Sequence, residues 1–76
     1  TELVIDDVNW FIPTPIDEFI ASCKIRYRHR ETPARIIPLD DGQVRIIFDQ
    51  PQTGVTPGQA AVIYQADRVL GGGWIQ

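Results

Sequence analysis

Apolar residues recur along this chain in short runs with alternating character, and Gly and Pro divide one run from the next. Alternation with period two is the mark of a strand half-buried on one face, and no helical spacing is sustained over a long stretch. Glu2 to Val8, with Leu3, Val4, Ile5 and Val8, predicts a first strand. Pro13 and Pro15 then break the path, and residues 16 to 21 form either one helical turn or a lead-in to the next strand. Ser22 to His29 predicts a second strand, closed by an interruption at Pro33. Ala34 to Leu39 and Gln43 to Asp49 flank Asp40-Asp41-Gly42, a hairpin signal. "PQTGVTPGQ" predicts a loop, Ala60 to Gln65 a fifth strand, and Arg68 to Gln76 a sixth with a glycine triplet inside. Six short strands predict an all-β fold, an antiparallel barrel or a sandwich. A barrel would remove the open edges that a small sheet otherwise presents.

The register of the central hairpin follows from the same pattern. A two-residue turn would place Arg35 on a face with Ile46 and Phe48. A three-residue turn instead gathers Ala34, Ile36, Val44, Ile46 and Phe48 on one face and Arg35, Gln43, Arg45 and Asp49 on the other. The second arrangement separates apolar from polar and places Gly42 at a left-handed bulge position.

Charge changes the picture at one place. The chain has a formal net charge of -3, yet residues 23 to 35 carry Lys24, Arg26, Arg28, Arg30 and Arg35 against Glu31 alone. In an extended strand Lys24, Arg26, Arg28 and Arg30 fall on one face, and Cys23, Ile25, Tyr27 and His29 on the other. Same-face residues are about 6.6–6.8 Å apart, a spacing comparable to that of phosphates along a nucleic-acid strand. Arg adds a fork geometry that fits phosphate oxygens. The run therefore reads as a site for an anionic partner: nucleic acid, phospholipid headgroup or acidic protein. The competing reading is a solvated face whose long cations cover apolar surface.

Seventy-six residues accommodate one small domain with a thin core. No apolar run is long enough to cross a membrane as a helix, and no leader pattern is visible at the start. The lack of any methionine leads to the expectation that the chain is a piece of a longer protein. One cysteine, Cys23, forms no internal disulfide, and with His29 alone a four-ligand zinc site would need carboxylates or a second chain. Cys23 on the apolar side of its strand predicts a buried, inert thiol rather than a nucleophile. His29 has no Ser or Cys–His–acid constellation around it and reads as a structural or nucleic-acid contact. Asp6-Asp7 and Asp40-Asp41 read as strand and turn residues rather than metal or catalytic pairs. "LGGGWI" lacks the Lys-Ser/Thr and the helix start of a phosphate loop; close backbone packing is the better account. Trp10 and Trp74 read as core or rim aromatics in preference to base-stacking platforms.

"VNWF" at 8–11, "CKIRYRHRETPA" at 23–34 and "FDQPQTGVTPGQAAVIYQADRVLGGGWI" at 48–75, in this order, resemble the C-terminal domain of bacterial tRNA-specific 2-thiouridylases. The resemblance spans nearly the whole chain. It implies a small six-stranded antiparallel β-barrel similar to domain 2 of translation elongation factors, ending a three-part cytoplasmic enzyme. An N-terminal domain of the parent would bind ATP and adenylate the wobble uridine, and a cysteine pair would deliver sulfur as a persulfide to C2. A central domain stands between it and the barrel, which helps hold tRNA. Carried over by position, the family's tRNA-contacting Arg-Tyr pair falls on Arg26 and Tyr27. The "SGGVDS" motif and both catalytic cysteines are absent, and Cys23 matches neither, so this chain alone is expected to carry no cofactor and no thiolation activity. "QADRVL" departs from the pattern, where a Gly-containing turn is expected. The expected partners are tRNA and the other two domains, with a sulfur-relay protein as a further candidate. The alternative class is a structural or protein-interaction barrel packing on the parent enzyme or on such a relay partner.

Overall fold

The computed structural model describes residues 1–25 and 30–76. Its elements are β1 (Glu2–Trp10), β2 (Phe19–Lys24), β3 (Thr32–Pro38), β4 (Val44–Phe48), β5 (Ala60–Gln65) and β6 (Arg68–Ile75). Every pairing is antiparallel, and the order β1-β4-β3-β2-β5-β6 closes into a barrel through β1 and β6. The barrel alternative is thus the one adopted.

The interior is aliphatic. Ile5, Ile36, Ile46, Ile63, Val44 and Cys23 are its largest fully buried side chains, and no polar or charged side chain is buried among the described residues. Each fully buried aliphatic side chain of this size stabilises the fold by about 1.5–3 kcal/mol. Trp10 and Phe19 pack together, partly buried against the core, with ring centroids 6.4 Å apart and planes tilted by 54°.

The β3–β4 hairpin has the three-residue turn. Ala34 pairs with Phe48, Ile36 with Ile46 and Pro38 with Val44, so the five apolar residues face inward together. The Leu39 N–H donates to the Gln43 carbonyl at 2.8 Å, and Gly42 sits at φ +84°. Nothing lies within 4 Å of a Cβ built on Gly42, so its backbone conformation, not space, requires glycine. The Asp41 carboxylate accepts from the Gln43 N–H at 3.1 Å, as turn chemistry requires.

Several boundaries differ from expectation. β1 runs on to Trp10 because a bulge between Asp6 and Asn9, with Asp7 at φ +50°, resets which side faces inward. Leu3 and Ile5 point in before it, and Val8 and Trp10 pack inward after it. β2 begins three residues earlier than Ser22; past Lys24, Ile25 lies in a bend, and the rest of the expected strand, residues 26 to 29, lies outside the described residues. Residues 16 to 18 lead into it rather than forming a helical turn. Pro33 does not interrupt β3 but lies inside it, opposite Ser22, and its carbonyl accepts from the Asp49 N–H at 3.1 Å. A proline near the start of a strand removes only one donor. The β5–β6 turn forms without glycine, with Ala66 at φ +53°. A second bulge in β6 turns both Leu70 and Gly71 inward.

Candidate nucleic-acid interface

β2 positions the first cation of the basic run. Cys23 points into the core and Lys24, the next residue, points out. Ile25 is again buried, although its backbone has already left the ladder in a bend. Arg26, Tyr27, Arg28 and His29 lie outside the described residues. Arg30 is exposed and belongs to no strand, so it does not extend a single strand-borne ladder from Lys24. Arg35 is outward on β3, opposite Ile20, four residues along β2 from Lys24. Its guanidinium is 3.5 Å from the Glu18 carboxylate, which partly neutralises it. Arg45, outward on β4, pairs with Glu2 at 2.9 Å. Both pairs are solvent-exposed and contribute little to stability. Lys24 and Arg35 therefore share the outer surface of the β2–β3 hairpin but stand at different levels of it.

Cys23 is shut away from chemistry. Burial pushes its thiol up to about 12, against a smaller opposing effect from a backbone hydrogen bond at Lys24. A thiol this far above neutral pH supplies almost no thiolate, the form that attacks or carries sulfur.

The glycine triplet serves strand packing. A Cβ on Gly71 would meet the Asn9 carbonyl oxygen at 2.6 Å, one on Gly72 the Ala61 oxygen at 2.6 Å, and one on Gly73 the Asp6 oxygen at 2.5 Å. All three lie within β6, with no helix start after them, so these glycines do not fit an ATP phosphate cradle. The triplet also floors a feature the sequence reading passed over, an open groove of about 390 Å³ on the outer face of β1, β5 and β6. Trp74 and Phe11 stand along it, 51% and 65% exposed. The clue was available in the triplet between alternating large residues, but the groove itself depends on which strands lie beside β6.

A small closed six-stranded antiparallel barrel with a cation-bearing hairpin is the class these features define. Residues 1–75 match the family described as the aminomethyltransferase beta-barrel domain, and the chain belongs to that family. It is 52% identical over 73 residues to the tRNA-specific 2-thiouridylase MnmA of Syntrophotalea carbinolica, covering 96% of this chain and 21% of that protein. The MnmA of Geotalea uraniireducens is 51% identical, with 97% of this chain and 20% of the relative covered. That of Trichlorobacter lovleyi is 54% identical over 92% of this chain and 20% of the relative. The chain thus spans about one fifth of the length of these curated relatives. The resemblance to the C-terminal β-barrel domain of 2-thiouridylases is borne out along nearly the whole chain.

Proposed function

We propose that this barrel binds tRNA on behalf of a tRNA-specific 2-thiouridylase that installs sulfur at C2 of the wobble uridine in an ATP-dependent reaction. The observation that carries the reading is the clustering of cations at residues 24 to 35 of an acidic barrel whose matched relatives bear that enzyme's name. Lys24, Arg26, Arg28, Arg30 and Arg35 supply sugar-phosphate contacts, which fix register and orientation and carry little sequence information. Tyr27 adds a contact beside Arg26. Recognition of the uridine, ATP and the sulfur-carrying cysteines belong to other parts of the parent chain, acting in the cytoplasm. Cys23 takes no part in sulfur transfer.

The test is the affinity of the full-length enzyme for its tRNA across a salt series. Arg26→Ala and Arg28→Ala weaken binding, each reducing the slope of log affinity against log salt by about 0.7–0.9. Tyr27→Phe loses about 1 kcal/mol, one hydrogen bond. Arg45→Ala, on β4 and already paired with Glu2, changes little. Wild-type binding by all the basic variants, with normal thermal unfolding, refutes the reading.

A protein-interaction role draws on a separate observation. Ile16, three residues before β2, is 88% exposed, and Ile20, near the start of β2 and away from Lys24, is 65% exposed. Apolar side chains left open there suit a contact with the parent enzyme's other domains. Ile20→Lys tests it: thermal stability of the parent falls while tRNA affinity holds.

A further inference from the structure

Cross-strand register connects the groove to the basic strand. Lys24 on β2 pairs with Val62 on β5, Val62 with Gly72 on β6, and Gly72 with Asn9 on β1. Alternation turns all four outward, since their neighbours Cys23, Ala61, Ile63, Gly71 and Gly73 are buried. With strands about 4.8 Å apart, Gly72 stands roughly 10 Å from Lys24 and Asn9 roughly 14 Å. One continuous row therefore runs from a cation, over a low apolar floor, to an amide. The next row, Ala60, Trp74 and Asp6, places an aromatic beside the floor. Phe11 borders it as well, its N–H donating to the Leu70 carbonyl at 2.9 Å.

From this row we infer that the groove holds one unpaired nucleotide of the bound RNA, its base stacked against Trp74 over Gly72. The inference rests on the tRNA-binding reading and deepens it. Bases outside a duplex offer free faces and edges, and aromatic side chains are the usual platforms for them. The volume of about 390 Å³ lies within the range of small-ligand sites. The polarity of the row orients the occupant. Asp7 lines the β1 side and repels phosphate, so the phosphate lies toward Lys24 on β2. The base edge then faces β1, where Asp7 accepts from amino or ring N–H groups and Asn9 both donates and accepts.

The experiment measures the affinity of the full-length enzyme for an unmodified tRNA transcript, with thermal unfolding alongside. Trp74→Ala is expected to weaken binding about 5- to 150-fold, the equivalent of one lost stack. Its salt slope stays at the wild-type value because no phosphate contact is lost, whereas Lys24→Ala lowers the slope by about 0.7–0.9. Trp74→Phe retains most of the affinity, and Phe11→Ala serves as the second variant where Trp74→Ala does not fold. Binding within twofold of wild type by folded Trp74→Ala, or by Phe11→Ala in its place, overturns the assignment. Lowered thermal stability with unchanged tRNA affinity also overturns it, and leaves Trp74 a structural role only. If Arg26→Ala and Arg28→Ala lose affinity while the groove variants do not, only the groove assignment fails. If none of them loses affinity, the tRNA-binding reading fails and the groove assignment fails with it.

Discussion

Cys23 shows at the scale of one residue how position overrides chemistry. The same side chain that could carry sulfur elsewhere is here a small apolar filler opposite Thr32 and Ile63. Its burial has a measurable consequence. The folded thiol keeps its proton to about pH 12, whereas the unfolded one releases it near its ordinary value of 9.0. Between those values unfolding releases a proton, so stability is full below pH 9 and declines as pH rises toward 12. The slope is about 1.4 kcal/mol per pH unit at most. Urea unfolding at several pH values, compared with Cys23→Ala, is expected to show this component in the wild type alone. The residue's inward placement was legible in the alternation around it. Its depth was not, because β3 and β5, which cover it, come from distant parts of the chain.

β6 shows what a whole strand adds to its residues. Its glycine triplet signals close packing in the sequence, yet the partners responsible, Asp6, Asn9 and Ala61, belong to β1 and β5 and cannot be named from β6 alone. At its other end the strand starts from a turn in which Ala66 adopts a left-handed conformation that glycine reaches more cheaply. Two substitutions in the same hairpin are therefore expected to act in opposite directions. Ala66→Gly raises stability by about 0.5–1 kcal/mol, while Gly73→Ala lowers it by ~2 kcal/mol because its Cβ would press on the Asp6 backbone. Chemical denaturation of both variants checks the signs. The two bulges, at Asp7 and Leu70, escaped the sequence reading for a shared reason: one extra residue resets alternation, and the reset is visible only when both sides of the ladder are known.

For the molecule as a whole, closure is the decisive event. β1 pairs with β4 on one side and β6 on the other, so neither terminal strand is left with an open edge. Hydrogen exchange should report this directly. Amides of residues 71–75 facing β1 are expected to exchange as slowly as those of residues 44–48 in the β3–β4 hairpin. Rapid exchange confined to 71–75 would mean an open sheet. Closure also sets Asn9 of β1 beside the Gly72 floor of β6, which β5 links to the cation of β2, residues that are far apart in sequence.

The chain's own pattern determined that there are six strands, which side of most of them faces inward, how the β3–β4 turn is built, and that positive charge is segregated at residues 24 to 35. These are local properties: alternation, turn chemistry and charge act over a few neighbouring residues. The tertiary structure alone decided the strand order, the two register resets, the pairing of Arg35 with Glu18 and the existence of the groove. Each of these depends on which strands lie side by side. Hydrogen-bond ladders are alike from strand to strand, so only the packing of the whole core into a closed barrel selects among the pairings that local pattern leaves open.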